Sequence, residues 1–241
     1  MYETDRLLQE YLLFHYGQPQ ELLPWPDGPH SALDFPRRTV EELLDAASIP
    51  VPARALDLGC AVGRSAFHLR HHVTEVIGID FSHRFVQAAA DLATTGHLPY
   101  RLHEEGTRYR DATATVPSHL QRDHVHFEQG DAMALRQDLG RFEIVHAANL
   151  LCRLSHPQRL LDRLPELVTP GGQLLITTPC TWLAEFTPPE NWPTDSTLDW
   201  LDQQLQAHFT REHRQDLPFL IREHARKFQW SVALGTRWRR H

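Results

Sequence analysis

A glycine turn between two acidic residues is the segment of this chain best suited to chemistry. The apolar run at residues 55–58 contains Asp57 and leads into Gly59 and Gly63, and Asp80 closes the next apolar run. Gly59 lets the backbone approach a ligand, and Gly63 lets the following helix pack against the strand. The segment therefore indicates a nucleotide-type ligand at the end of a buried strand.

The spacing of this turn argues against a dinucleotide. Dinucleotide sites follow G-x-G-x-x-G and place a pyrophosphate at a helix N-terminus, whereas this turn follows D-x-G-x-x-x-G. Asp57 would repel a phosphate but suits an ammonium or sulfonium charge, and Asp80 can accept both ribose hydroxyls. The predicted ligand is S-adenosylmethionine, with Cys60 and Phe81 lining the same site; a chance glycine turn is the alternative, because one motif is weak evidence.

Further candidate residues follow the later strands, because ligands of such sheets bind at the carboxyl ends of the strands. Asp131 can accept from the adenine amine, and the backbone N–H of Ala132 can reach a ring nitrogen. Asn149 follows the next strand, where the cofactor methyl group and its acceptor should meet, and Trp182 follows the strand after that. The alternatives are a helix cap for Asp131, a turn residue for Asn149 and core packing for Trp182.

Alternating strands and helices must position these residues. Strands are predicted at residues 55–58, 76–80, 125–129, 142–148, 173–178, 219–221 and 228–234. Helices are predicted at residues 4–16, 39–47, 63–71, 82–94 (with Ser82 as N-cap), 157–167 and 196–208. This alternation implies an α/β fold, a mostly parallel seven-stranded sheet with helices on both faces and a final antiparallel hairpin.

The chain reads as a single domain over residues 1–241, with residues 1–50 as an N-terminal cap and residues 51–241 as a Rossmann-like core. The polar segment 96–123 is predicted to be either a disordered insert or a substrate-facing hairpin. The basic tail, residues 237–241, is expected to fray or to cap a final strand.

Composition excludes several classes of protein. Hydrophobic residues make up 41% of the 241 residues, and the longest apolar runs are too short to span a membrane. The acidic N-terminus does not resemble a signal peptide, so a cytoplasmic location is expected. A net charge of −7 disfavours a nucleic-acid partner. Three cysteines without CxxC spacing and 17 histidines without nearby ligands at metal spacing predict reduced thiols and no metal site.

Methyl transfer from a sulfonium is an in-line displacement, in which the protein does not need to form a covalent intermediate. Alignment of nucleophile, methyl group and sulfur can supply about 7–11 kcal/mol of the barrier. A nucleophilic serine or cysteine and a metal are therefore not required.

Ten segments resemble the methyltransferase module of the ovothiol biosynthesis enzymes. They are YETD (2–5), YLLFHYG (11–17), LDLGCAVGRS (56–65), GIDFSHRF (78–85), AANLLCRL (147–154), TWL (181–183), EFTP (185–188), NW (191–192), FLIRE (219–223) and ARKFQWS (225–231). The resemblance implies a class I S-adenosylmethionine-dependent methyltransferase fold. It also implies methylation of the imidazole Nπ of 5-thiohistidine, which gives ovothiol A and S-adenosylhomocysteine. Many relatives carry an iron-dependent sulfoxide synthase ahead of this module, so a stand-alone module with a separate sulfoxide synthase as functional partner is expected.

Under this resemblance, side chains near the acceptor take specific roles. Asn149 is predicted to orient the thiolated ring, and Arg153 or Arg226 to pair with the amino-acid carboxylate through a bidentate fork. His15 or His224 is the predicted acceptor of the displaced proton.

Aromatic side chains are predicted to wall the ring, namely Phe14, Tyr16, Trp182 and Trp192, and Arg38 is predicted to bind the methionine carboxylate of the cofactor. Three other functions remain open. The acceptor could be another imidazole, amine or thiol, or the protein could bind S-adenosylmethionine as a sensor without turnover. A nucleic-acid methyltransferase is disfavoured by the net charge and by the absence of an N/D-P-P-Y type motif.

Overall fold

Seven strands form one mixed sheet in this computed structural model, which describes residues 3–241; Tyr2, part of the opening segment quoted above, lies outside them. The strands of the chain are β1 (Arg54–Leu58), β2 (Glu75–Asp80), β3 (His97–Glu105), β4 (Arg108–Thr115), β5 (Val125–Gln129), β6 (Phe142–Ala148), β7 (Val168–Thr178), β8 (Phe209–His224) and β9 (Lys227–Arg240). The sheet has the order β5-β2-β1-β6-β7-β9-β8, and β9 is antiparallel to both its neighbours. The predicted seven-stranded, mostly parallel sheet with a final antiparallel hairpin is confirmed.

Helices cover both faces of this sheet. They are α1 (Asp5–Tyr16), α2 (Pro19–Leu22), α3 (Phe35–Glu41), α4 (Arg64–Arg70), α5 (His83–Thr95), α6 (Pro157–Leu167) and α7 (Thr197–Leu205). The start of α5 follows the prediction, because the Ser82 side chain accepts from the Phe85 N–H. In contrast, α3 begins four residues before the predicted start at residue 39, because Pro36 fits the first turn of a helix, where no N–H is needed. The rest of the predicted helix, at residues 46–48, is a separate 3₁₀ turn.

Strand alternation divides the core into two layers. On β1, Leu56 and Leu58 belong to the cluster under α6 and α7, whereas Ala55 belongs to the cluster under α3, α4 and α5. Because side chains of a strand point to alternate faces, Asp57 is turned towards the second layer with Ala55. This orientation decides which groups the Asp57 carboxylate can reach.

The final hairpin is much longer than predicted. Residues 234–239 of β9 pair with β7, while the β8–β9 ladder continues from Asp216↔Leu234 to His224↔Lys227. The hairpin therefore extends beyond the carboxyl end of β7. The prediction of a frayed tail is wrong, because residues 237–240 belong to β9 and Trp238 is only 1% exposed.

The opening helix α1 lies at the carboxyl edge of the sheet, whereas Asp45 and Ser48 contact Gln173 near the opposite edge. The Tyr16 hydroxyl donates to the Val62 carbonyl at 2.8 Å, which attaches α1 to the turn after β1. Segment 96–123 contains the two-stranded β3–β4 hairpin and is not a disordered insert, and its Glu104 carbonyl accepts from the Ala225 N–H at 3.1 Å. The Trp25 indole donates to the Ala225 carbonyl at 3.0 Å. Cap, β3–β4 hairpin and β8–β9 turn thus form one rim. Within residues 3–241, no helix has the length and apolarity to cross a membrane.

Candidate cofactor and acceptor site

Residues with positive φ angles follow strands β1, β6 and β7. Gly59, Ala61 and Gly63 have positive φ angles after β1, of 68°, 47° and 87°. Asn149 after β6 and Cys180 after β7 have φ angles of 52° and 53°. For residues other than glycine this conformation costs on the order of 1 kcal/mol, and such residues concentrate at functional sites. The carboxyl edge is therefore the candidate site.

Asp80 is held at this edge by two backbone donors. Its Oδ1 accepts from the Ser82 N–H and its Oδ2 from the Ala61 N–H, both at 2.9 Å. A carboxylate oxygen has two lone pairs, so each oxygen keeps one for a ligand hydroxyl. Burial raises the pKa of Asp80 above its ordinary value, although the two hydrogen bonds lower it. The carboxylates of Asp57 and Glu3 raise the pKa further. The geometry suits the predicted contact with two ribose hydroxyls.

Phe81, directly after this carboxylate, is an aromatic side chain left in the open. Its side chain is 67% exposed, while its carbonyl accepts from Gln129 Nε2 at 3.1 Å. An exposed ring next to a ribose-binding acid offers a face on which adenine can stack. The Asp131 Oδ1 accepts from the Met133 N–H at 2.8 Å, so this carboxylate caps its own turn and keeps Oδ2 for a ligand. Ala132, between Asp131 and Met133 in sequence, is buried, and its predicted contact with an adenine ring nitrogen would be made by its backbone.

The Asp57 carboxylate, predicted to face a ligand charge, is buried and hydrogen-bonded to other side chains of the protein. It is 1% exposed; Ser65 Oγ donates to its Oδ2 at 2.7 Å, and His146 Nδ1 lies 2.7 Å from its Oδ1. His146 Nε2 lies 3.0 Å from Thr39 Oγ1, whose own proton goes to the Pro36 carbonyl. The pair, together with Thr39, joins β1 and β6 to α3. Alternation along β1 turned this acid inward.

The glycine turn after β1 also packs against residues of β2 and β5. Gly59 N–H donates to the Ile79 carbonyl at 2.8 Å, and a Cβ on Gly63 would lie 2.6 Å from the Phe127 ring. The Cys60 side chain is buried, and burial raises the pKa of its thiol well above the usual range, helped by the neighbouring carboxylates. Cys60 therefore contributes backbone, not a thiol, to the predicted cofactor site.

Arg38 is not placed to bind the cofactor carboxylate, since its guanidinium is already used. Nε contacts Glu42 Oε1 at 2.5 Å, and Nη1 donates to the Pro218 carbonyl at 2.8 Å. Arg64, which was not predicted, is the buried cation at the first residue of α4, with Nη2 3.5 Å from Asp34 Oδ1. Its position directly after the second motif glycine was the signal that could have identified it.

Asn149 is the acceptor-side residue whose geometry is best defined. Its backbone N–H donates to the Thr177 carbonyl at 2.8 Å, and the Thr177 hydroxyl donates to its Oδ1 at 3.1 Å. Because the oxygen is held, the orientation of the carboxamide is set. Within the described chain its NH₂ group has no hydrogen-bond partner, so it is left to donate to a ligand.

Three further predicted acceptor residues lie in the loops after β6 and β7. The Arg153 guanidinium stands 4.5 Å over the Phe186 ring. The Trp182 indole donates to Thr197 Oγ1 at 3.1 Å, and the Trp192 indole donates to a backbone carbonyl of its own loop. The structure therefore brings Arg153, Trp182 and Trp192 to the same side of the sheet as Asn149.

The predicted acceptor residues of α1 are packed inside the cap. The Phe14 ring packs edge-on against the Phe219 ring, and the Tyr16 hydroxyl donates to the Val62 carbonyl. His15 is buried with no hydrogen-bond partner at Nδ1, and burial, with the Arg64 charge, lowers its pKa to about 3. A histidine with so low a pKa is a poor proton acceptor near neutral pH.

His224 and Arg226 lie at the turn of the final hairpin. The Arg226 guanidinium stands 5.3 Å from the Trp25 ring, and the His224 ring lies 5.8 Å from that of His103. Their contacts are with the cap and the β3–β4 hairpin. The structure thus does not group them with Asn149, because the hairpin continues well past the strand ends.

Comparison with known proteins identifies the family. A methyltransferase domain family matches residues 30–227, most of the chain. The chain belongs to this family. Its cofactor is S-adenosylmethionine, and the residues present suit it: Asp80 offers two acceptors for a ribose, and Phe81 offers an open ring face for adenine. Among residues 3–241 no cluster of three or more histidine, cysteine or acidic side chains is placed to hold a metal.

Individual relatives are distant. The ubiquinone biosynthesis O-methyltransferase of Coxiella burnetii (strain Dugway 5J108-111) is 25% identical over 123 residues, which cover 51% of this chain but only 42% of that protein. The N-methyltransferase NodS of Bradyrhizobium japonicum WM9, solved with S-adenosyl-L-homocysteine, superposes with a TM-score of 0.56 at 17% identity, over 97% of this chain and 98% of NodS. The [4+2]-cyclase SpnF superposes with a TM-score of 0.57 at 17% identity, over 98% and 96% of the two chains. These structures share the fold.

Proposed function

We propose that this methyltransferase transfers a methyl group from S-adenosylmethionine to the Nπ atom of 5-thiohistidine, giving ovothiol A and S-adenosylhomocysteine. The segments that resemble ovothiol methyltransferases support this acceptor. The observation that carries the proposal is Asn149, whose carboxamide is oriented by Thr177 and keeps its NH₂ group for a ligand. On this proposal a sulfoxide synthase activity supplies the thiohistidine.

The thiolate of the acceptor suits an amide donor. An NH₂ group that donates to the thiolate limits rotation of the ring, and Nπ, on the other side of the ring carbon that carries the side chain, then has one orientation relative to the donor. S-adenosylmethionine supplies, when bound, an electrophilic methyl group on a sulfonium. The ring nitrogen forms the new C–N bond as the methyl–sulfur bond breaks, and the bonding electrons stay on sulfur.

No protein base is needed for this reaction. If Nπ carries the lone pair and the other ring nitrogen its proton, the methylated product keeps that proton. This agrees with the positions of His15, buried with a pKa of about 3, and His224, placed on the rim. Binding, orientation and exclusion of water are the tasks left to the chain.

Mass spectrometry of reactions with 5-thiohistidine or histidine tests the acceptor. We expect a methylated product from thiohistidine alone, and NMR of that product should place the methyl group on Nπ. Product from histidine at an equal rate would show that the thiolate is not recognised. Bound cofactor with no product from either would contradict the proposal and favour another acceptor or a sensor.

Variants of the carboxamide test the role of Asn149. We expect Asn149→Ala to lower kcat/KM about 10- to 100-fold, because a misplaced acceptor loses most of the benefit of alignment. Thr177→Val, which removes the hydroxyl that orients the amide, should give a smaller loss in kcat. Asn191→Ala is the matched control, since its amide donates to the Ser155 carbonyl within a loop. Full kcat/KM in Asn149→Ala would exclude the assigned role.

An oxygen acceptor is a second candidate, favoured by one observation. The curated relatives matched over half of this chain are named ubiquinone biosynthesis O-methyltransferase. A phenolic acceptor included in the same assay separates the two. Product from the phenol but not from thiohistidine would replace the first proposal with the second.

A further inference from the structure

A groove of about 600 Å³ opens beside the carboxyl end of β7 and combines charged with apolar walls. Its walls include Trp182, Asp195, Arg214, Asp216, Val232 and Leu234. Resting on the proposed function, we propose that this groove holds the amino-acid head of the acceptor. Arg214 would bind the α-carboxylate, and Asp195 with Asp216 the α-ammonium.

The groove is close to the place where the acceptor ring must lie. Leu234 pairs in register with Thr178 of β7 on one side and with Asp216 of β8 on the other. The preceding residue, Thr177, holds the Asn149 carboxamide. Groove and carboxamide are therefore separated by the end of a single strand.

The charged side chains in the groove can exchange their present partners for the charges of a ligand. Arg214 Nη2 lies 3.5 Å from Asp216 Oδ1, and the two side chains are 50% and 62% exposed. So long and exposed an ion pair contributes little to stability, so a ligand carboxylate and ammonium can take the place of each partner. Within the described residues, Asp195 has no ion pair or hydrogen bond through its side chain. A zwitterion matches this alternation of charge.

The apolar wall is rigid. Trp182 is fixed by its hydrogen bond to Thr197 Oγ1 and by an edge-on contact with Trp200 at 5.8 Å. Val232 and Leu234 provide aliphatic surface from β9. A fixed indole beside paired charges suits a flat heteroaromatic ring on an amino-acid backbone.

The arginines predicted for the carboxylate are more firmly engaged than Arg214, which has only the long, exposed ion pair with Asp216. Arg153 stands over Phe186 and donates to the Thr181 carbonyl at 3.5 Å, and Arg226 stands over Trp25. Recruitment of either would break an aromatic contact. The less committed guanidinium of Arg214 is the better carboxylate partner.

Calorimetry on protein saturated with S-adenosylhomocysteine tests this assignment without requiring turnover. The ligands are 5-thiohistidine and its decarboxylated amine, which lacks only the carboxylate. We expect Arg214→Gln to weaken binding of the amino acid about 10- to 100-fold while the amine binds within about twofold of wild type. Asp195→Asn and Asp216→Asn should weaken both ligands, because both carry the ammonium.

Arg211→Gln is the matched control on the same strand, since Arg211 pairs with Asp202 outside the groove. Thermal melting of each variant shows whether it is folded. The assignment is overturned if Arg214→Gln binds the amino acid as wild type does, if it loses both ligands equally, or if wild type binds neither. The expected binding pattern without any methylated product would leave the groove assignment standing and refute the proposed reaction.

Discussion

Asp57 and His146 form a buried pair, with Oδ1 2.7 Å from Nδ1 and side chains 1% and 0% exposed. The acid that the glycine-turn motif places nearest to the ligand is thus used to join β1 to β6. His146 also contacts the Thr39 hydroxyl on α3, so one chain of hydrogen bonds connects the N-terminal cap to the strand that precedes the glycine turn. We infer that the pair acts by positioning the strand ends that carry the site.

Removal of one partner from this pair should be costly. Asp57→Asn and His146→Gln are each expected to lower the free energy of unfolding by about 3–5 kcal/mol, because an uncompensated polar group stays buried. Chemical denaturation measures this, and in a double-mutant cycle the double variant should lose less than the sum. His126→Gln, an exposed histidine on β5, should stay within about 0.5 kcal/mol. Additive losses would show that the two residues do not interact.

Cofactor affinity should depend on the charge of Asp80. Its pKa is raised above the ordinary 3.8 by burial, so the carboxylate becomes protonated, and loses acceptor strength, at a higher pH than an exposed aspartate. Affinity for S-adenosylhomocysteine should therefore weaken as pH falls, beginning above pH 3.8. Asp80→Asn should bind about 10- to 100-fold more weakly near neutral pH and show a flatter pH profile. Unchanged affinity would remove the ribose assignment.

Phe81 should contribute to binding and not to folding. Phe81→Ala is expected to weaken cofactor binding by about 0.5–1.5 kcal/mol, the value of an aromatic stack beyond buried area. Because the ring is 67% exposed, the melting temperature of the cofactor-free protein should hardly change. Phe81→Trp should retain the affinity. Loss of stability with intact binding would assign the ring to packing.

Gly63 should tolerate a methyl group far less well than Gly171. Both have positive φ, 87° and 77°, but a Cβ would lie 2.6 Å from Phe127 at the first and meets nothing within 4 Å at the second. Gly171→Ala should cost about 1 kcal/mol of strain, whereas Gly63→Ala should add about 1–3 kcal/mol of overpacking. Phe127→Leu should reduce the loss of stability in Gly63→Ala and leave the loss in Gly171→Ala unchanged. Equal losses measured by denaturation would mean that backbone strain alone acts at both sites.

His15 should make stability depend on pH. Its pKa falls from 6.5 to about 3 on folding, chiefly through burial, so the folded state binds fewer protons between these values. Its contribution is complete above pH 6.5 and is lost as pH falls towards 3. His15→Phe should reduce the slope of unfolding free energy by up to about 1.4 kcal/mol per pH unit. His68, whose pKa is also about 3, accounts for part of the slope that remains. An unaltered slope would show that His15 is not buried as a neutral ring.

The sequence determined the parts of this protein that depend on local pattern. Short apolar runs followed by polar residues marked the ends of β1, β2, β5 and β6, and the helix start at Ser82 followed from its side chain. Because parallel strands place their carboxyl ends on one edge, these positions also predicted where Asp80, Phe81 and Asn149 would meet. The family and the cofactor follow from the same residues.

Only the tertiary structure decided what the remaining side chains do. The direction of Asp57 depends on which face of β1 it occupies and on His146, 89 residues away in sequence. Arg38 was taken up by a carbonyl of β8, and the length of the final hairpin came from pairing, since its polar alternation carries little apolar signal. The groove at Arg214 exists only because β8, β9 and the start of α7 meet. A side chain's type is local, but its partners are set by packing between distant segments, and function at this site depends on those partners.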